Sequence, residues 1–270
     1  MKLDTIHLVY FSPTGTTRQT LESIAEGTGI PNVIHHDVTL PGDVPEETVE
    51  LPVDEMVVYG APVYGGRLPE IARQRLSKFT SQGSPAAAVV LYGNREYEDA
   101  LVELGDLVTG TGGVVLAGGA FLGEHSFTSP GHPIAVGRPD EKDREHAVVF
   151  GRQVMDLFQS ISRPDDITPA ELPGNRPYKE APNHPRNPPE TNLEFCIRCG
   201  FCVSQCPTGA IKMEDGPVKA DGDCILCCAC VKVCPQQVRE LNDPHIKKII
   251  DWLSEKAAQR KEPETFIGGR

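Results

Sequence analysis

The residues best suited to chemistry are nine cysteines, none of them before Cys196 in a chain of 270 residues. Eight form two runs of one spacing, C-x2-C-x2-C-x3-C-P. The first is Cys196, Cys199, Cys202 and Cys206 with Pro207; the second is Cys224, Cys227, Cys230 and Cys234 with Pro235. Three thiolates set two residues apart can wrap one cubane 4Fe–4S cluster from a tight loop, and the fourth reaches the cluster of the other run. The expected ligand sets are Cys196, Cys199, Cys202 and Cys234 for one cluster, and Cys224, Cys227, Cys230 and Cys206 for the second. The prolines stop any extended helix. Zinc ribbons use paired C-x2-C rather than quadruples ending in Cys-Pro. A disulfide framework suits a small secreted domain, whereas Met1-Lys2-Leu3-Asp4 runs straight into an apolar stretch with no small-residue cleavage site after it. Cys228 is left over and is expected to act as a buried, small apolar side chain beside the ligands.

Three loops elsewhere could grip a second cofactor. Ser12-Pro13-Thr14-Gly15-Thr16-Thr17 lies between an apolar strand pattern and a helical one. Its hydroxyls, backbone N–H groups and helix N-terminus suit a single phosphate. A nucleoside-triphosphate loop would need G-x-x-x-x-G-K-[ST], and the bland alternative is a helix start capped by Thr14 or Thr16. After the third strand pattern come Pro62, Val63, Tyr64 and Gly65, and after the fourth come Tyr92, Gly93, Asn94 and Tyr97. In an open α/β sheet such loops meet at the carboxyl ends of the strands. The tyrosines offer flat faces and the glycines permit close approach, which together point to a flavin. Each tyrosine taken singly would read as half-buried core.

Other candidates are weaker. The neighbours His35 and His36, before Asp37, point to opposite faces of a strand. His125, His132 and His146 lack ligand spacing and read as loop or surface residues, one of them near the flavin. Gly110-x-Gly112-Gly113 precedes a strand instead of opening a helix, so no nicotinamide site is expected. Ser126 has no nucleophile-elbow context.

These loops need a scaffold. Strand patterns at 6–11, 32–38, 56–59, 86–92 and 113–121 alternate with helical patterns at 17–27, after Pro69, at 96–108 and at 140–158. The reading is α/β: five parallel strands in the doubly wound order 2-1-3-4-5, served by five crossover helices. The expected divisions are 1–162 for this domain, 163–192 for a proline-rich linker that wraps on it, 193–241 for the cluster domain, and 242–270 for a final helix and tail. The cluster domain should carry a small hairpin around Glu214-Asp215-Gly216, the helix after Asp243 should pack on its own domain, and the end from Arg260 should fray. No apolar run reaches the ~20 residues of a membrane span. The net charge is −12, nearly all of it in the first 162 residues. That balance repels nucleic acid and steers toward basic patches on a redox partner protein, or simply keeps the chain soluble.

On these motifs the first ~160 residues resemble flavodoxins, and the cysteine-rich stretch is similar to bacterial two-cluster ferredoxins at every ligand position. The whole chain resembles flavodoxin–ferredoxin fusions of anaerobic bacteria and archaea, and Gly123-Glu124-His125-Ser126-Phe127 fits that family too. The resemblance implies FMN, with Ser12, Thr14, Gly15, Thr16 and Thr17 as phosphate loop. Val63, Tyr64 and Gly65 would line one side of the isoalloxazine, and Tyr92, Gly93, Asn94 and Tyr97 the other. One departure is that Trp252, the only tryptophan, lies in the C-terminal helix, away from the expected stacking position. The expected function is a cytoplasmic electron relay between FMN and two 4Fe–4S clusters, linking two-electron and one-electron partners. Alternatives are a flavin-dependent reductase of a small substrate fed by the clusters, and a subunit of a larger redox complex.

Overall fold

A computed structural model describes residues 3–160, 168–181, 187–214, 218–220 and 224–269. Five parallel strands lie in the spatial order β2-β1-β3-β4-β5: β1 (Thr5–Tyr10), β2 (Asn32–Asp37), β3 (Met56–Pro62), β4 (Pro85–Tyr92) and β5 (Val114–Leu122). The sheet is buried on both faces, so its central strands are nearly continuous apolar runs. Alternate side chains serve opposite cores. Val57, Tyr59 and Ala61 face α2 (Glu70–Leu76) and α3 (Ala100–Gly110), through Leu76, Leu101 and Leu104. Met56 and Val58 face α1 (Thr16–Thr28) and α4 (Glu141–Ser160), through Leu21, Ile24 and Phe150. The two latter helices touch backbone to backbone: a Cβ on Gly27 would stand 2.1 Å from the Val148 carbonyl oxygen, and one on Gly151 2.1 Å from that of Ile24.

Four helices rather than five flank the sheet among the described residues. The β2–β3 connection is a 3-10 turn (Pro41–Asp43) and a two-residue strand (Val49–Glu50); Pro41, Pro45 and Pro52 break any longer helix there. α3 begins at Ala100, not at residue 96, because Asn94 and Glu98 have left-handed backbone (φ 65° and 46°).

The C-terminal end does not fray. After Pro263, β6 (Glu264–Ile267) joins the sheet antiparallel to β5, from Glu264 opposite Ala120 to Ile267 opposite Ala117. It covers an edge that would otherwise expose unpaired N–H and C=O groups.

The described part of the proline-rich segment wraps on α3. Leu172 packs against Gly105 and Gly118, where an added Cβ would come within 2.4 and 2.3 Å of its methyl groups. Asp99 accepts from the backbone N–H groups of Asn175 and Lys179, and Asp106 accepts from Arg176 and Tyr178.

The cysteine-rich domain is small α+β. Ile211–Met213 pairs antiparallel with Val218–Ala220, and Glu190–Thr191 with Arg239–Glu240. The turn expected at 214–216 lies largely outside the described residues. α5 (Pro244–Lys256) starts at Asp243, whose side chain accepts from the N–H groups of His245 and Ile246 at 2.7 and 3.1 Å. Its apolar face is shared between domains. Ile246 and Ile250 meet Leu226 and Phe127, while Leu253 meets Ile134 in the loop after β5. No described helix is long and apolar enough to cross a membrane.

Candidate functional site

The cysteines surround two separate cavities. Cys196, Cys199, Cys202 and Cys234 line one; Cys206, Cys224, Cys227 and Cys230 line the other. Each quartet takes three thiols from one run and one from the other: the single helical turns Phe201–Ser204 and Ala229–Lys232 hold the third cysteine of each run, and the fourth, Cys206 or Cys234, follows the turn and lines the opposite cavity. No disulfide joins any of the nine cysteines. Among the described residues no three of His, Cys, Asp and Glu converge tightly enough to hold a single metal ion, and the cysteine quartets stand around spaces with predominantly apolar walls. Burial pushes the Cys227 thiol up to about 12, so it releases its proton readily only where a strongly electron-accepting metal centre binds the resulting thiolate. Thiols so arranged fit a cubane cluster. Cys228 is buried, starts the second helical turn with φ 57°, and points its thiol to the Leu226 carbonyl at 3.6 Å. It also borders the second cavity.

A third cavity, of about 520 Å3, opens at the carboxyl ends of β1, β3, β4 and β5. Thr14, Thr16, Pro62, Val63, Tyr64, Gly65, Tyr92 and Gly93 line it. The start of α1 faces it with no side-chain cap from its N-cap residue Gly15, whose φ of 82° makes the tight entry, and with no acidic residue in its first turn. Such an end suits an anion. Gly93 has no room for a side chain: a Cβ would lie 2.3 Å from the imidazole of His125. Burial first, then the charges of Lys232 and Arg95, push the His125 imidazole down to about 4. Its Nδ1 accepts from the Phe127 N–H at 3.0 Å, so the neutral ring carries its proton on Nε2.

The other expected residues stand off this wall. The Ser12 hydroxyl accepts from the Arg18 N–H at 3.1 Å, and Thr17 is buried with its methyl group against Gly60. Asn94 donates to the Ala257 and Gln259 carbonyls at 2.7 Å each and accepts from the Lys261 N–H. Tyr97 donates to Glu264 at 2.9 Å. Both therefore pin the C-terminal segment to the loop after β4. Among the described histidines, His125 alone lines the cavity. His132 pairs with Asp251 at 2.9 Å, and His146 lies 4.0 Å from Glu262. His35 meets the Tyr10 hydroxyl, and His36 meets His7 from the opposite face.

The far wall comes from the cysteine-rich domain and α5: Ile225, Leu226, Ile249, Trp252 and Leu253. Trp252, expected to lie away from the ring, is thus a wall residue, about half exposed. Ile225 borders both this cavity and the one lined by Cys206, Cys224, Cys227 and Cys230. Tyr64 stands at the same partition, and burial first, then the nearby Cys227 and Cys228, raise its pKa well above the usual value. Across the junction Lys232 pairs with Glu124, and Arg75, buried, donates to the Pro207 carbonyl at 2.8 Å.

Residues 189–212, which hold the first cysteine run, match the family model of the 4Fe-4S binding domain. None of the curated proteins matches the sequence. Among solved structures the chain is similar to an archaeal flavodoxin (17% identity over 57% of this chain and 99% of that one, TM-score 0.40). It is also similar to a Fusobacterium nucleatum flavodoxin bound to flavin mononucleotide (17%, 58% and 97%, 0.37). A third likeness is to the rubredoxin oxygen:oxidoreductase of Desulfovibrio gigas (12%, 58% and 36%, 0.39), of which this chain spans about a third. The chain thus joins a doubly wound parallel sheet in the order 2-1-3-4-5 to a segment, 189–212, that matches the 4Fe-4S binding domain.

Proposed function

We propose that the protein is an electron carrier that holds FMN in the 520 Å3 cavity and two 4Fe–4S clusters in the cysteine-lined cavities, relaying electrons between two-electron and one-electron partners. The observation that carries this reading is Ile225, one side chain that borders both the flavin cavity and the nearer cluster cavity. When bound, FMN supplies one- and two-electron chemistry and each cluster one-electron chemistry. Thr14, Thr16 and the open start of α1 hold the phosphate. Tyr64, Tyr92, Gly93 and Trp252 frame the ring, and His125 presents its Nε2–H as a neutral donor.

The nearer cluster belongs to Cys206, Cys224, Cys227 and Cys230. The farther one, held by Cys196, Cys199, Cys202 and Cys234, reaches the surface at exposed Cys199, beside exposed Phe195, Ile197 and Phe201. We place the docking of a redox partner at this end, with the net charge of −12 steering partners that carry basic patches. Nine cysteines with no disulfide among them suit a reducing, cytoplasmic setting.

Anaerobic purification with flavin, iron and sulfide determined on one sample tests the reading. About one FMN and about eight irons per chain are expected. Absence of flavin after reconstitution removes the FMN assignment, and zinc in place of iron removes the whole proposal.

A further inference from the structure

Arg239 stands between the two cysteine-lined cavities and borders both. It is 3% exposed. Nη1 donates to the Thr191 hydroxyl at 2.6 Å and Nη2 to the Pro189 carbonyl at 2.9 Å, while the buried Nε–H has no partner. Those two hydrogen bonds go to neutral oxygens, the Cys230 thiol also lies within hydrogen-bonding reach of the guanidinium, and among the described residues no carboxylate forms a salt bridge with it. Burying a guanidinium without a counter-charge costs several kcal/mol, so the site needs negative charge from elsewhere. The charge of Arg239 acts on one thiol from each quartet, Cys202 and Cys230.

The sequence adds an internal control. Five residues after the last cysteine of the first run stands Ile211; five after that of the second run stands Arg239. Ile211 is buried as well, at 5% exposed. An aliphatic side chain is therefore enough to pack this position of the repeat, and packing alone does not call for an arginine.

We propose that Arg239 is a shared tuning residue: a buried cation between the two clusters, its free Nε–H held for a cluster sulfur, that raises the reduction potentials of both. This rests on the two-cluster reading above. Adding an electron to either cluster adds a negative charge beside a fixed positive one, and both net charge and hydrogen bonds to sulfur set such potentials.

The test is a redox titration of intact, anaerobically purified protein, followed by electron paramagnetic resonance of the reduced clusters with iron counts in parallel. The unsubstituted protein comes first. If it lacks two clusters, the underlying reading fails and Arg239 is not in question. With two clusters present, Arg239→Gln should lower both midpoints, each by about tenfold in the reduction equilibrium, or about 59 mV for one electron. Arg239→Lys, which keeps the charge, should stay near the parent values. Unchanged midpoints in Arg239→Gln overturn the proposal, as does an equal shift in Arg239→Lys. Should Arg239→Gln lose a cluster, retention of both clusters at parental midpoints by Arg239→Lys supports a requirement for the charge. Loss from both variants overturns the proposal and makes Arg239 a strut.

Discussion

Replacing Gly93 with alanine tests how the flavin cavity is built. The new Cβ would stand 2.3, 2.7 and 2.8 Å from Cδ2, Cγ and Cβ of His125. The histidine cannot retreat into its own loop, because its N–H donates to the Ile134 carbonyl, its carbonyl accepts from Thr128, and its Nδ1 accepts from Phe127. The ring must give way toward the cavity it lines, or the ends of β4 and β5 must part. Overpacking of this kind costs about 1–3 kcal/mol. Taken out of binding, that is a loss of about 5- to 150-fold in FMN affinity, at about 1.4 kcal/mol per decade. The assay is quenching of flavin fluorescence as flavin-free protein is titrated with FMN. Gly131→Ala is the control, since nothing lies within 4 Å of its would-be Cβ. Unchanged affinity in a folded Gly93→Ala protein would refute the claim that His125 backs the cavity.

Exchanging single cysteines for alanine separates the ligand sets. Cys206→Ala should remove the same paramagnetic signal as Cys224→Ala, and Cys234→Ala the same as Cys196→Ala, with iron falling from about eight to about four per chain; the opposite pairing would show uncrossed ligation. Acid should weaken the fold through two partly buried histidines. His36 and His125 are both lowered, chiefly by burial, from 6.5 to about 4. The unfolded chain then takes up protons that the folded one refuses, so stability is full above pH 6.5 and declines as pH falls toward 4. Urea midpoints measured at pH 7 and pH 5 should show that decline, and it should shrink in a His36→Gln, His125→Gln double variant; an unaltered slope counts against the assignment. Gly27→Ala should destabilise by about 1–3 kcal/mol, since its Cβ would meet the backbone of Val148 rather than a side chain that can turn away. A thermal midpoint equal to that of the parent would contradict the close α1–α4 approach.

Local chemistry was legible in the sequence and remote packing was not. The cysteine runs declare their cofactor because ligands two and three residues apart are set by a single turn. The strand–helix alternation announced the parallel sheet, since two-sided burial writes apolar runs such as 86–92 into the chain. Asn94 and Tyr97 sit in the expected loop, but their partners, Ala257, Gln259 and Glu264, lie more than 160 residues away, and nothing near either residue signals that. Trp252 presented itself only as part of an amphipathic helix; that the helix wedges between domains depends on Phe127 and Ile134, which no periodicity connects to it. Strand β6 is four residues long, too short for alternation to register against the charged run before it. The total of five crossover helices exceeded the four helical patterns in the chain, and Pro41, Pro45 and Pro52 leave no room for a fifth between β2 and β3.

The sixth strand has a consequence for assembly. The chain leaves the sheet after α4, builds the cysteine-rich domain, and then returns to finish the same sheet. That domain is consequently tied at both ends to one sheet, which restricts its excursions more than a single tether would. Its local concentration at the flavin cavity is fixed by geometry and does not depend on dilution. Cutting the chain anywhere between the second cysteine run and β6 would leave one tether where there had been two. On the proposed function, the effect would fall on the rate at which charge crosses the Ile225 partition, while each half kept its own cofactor.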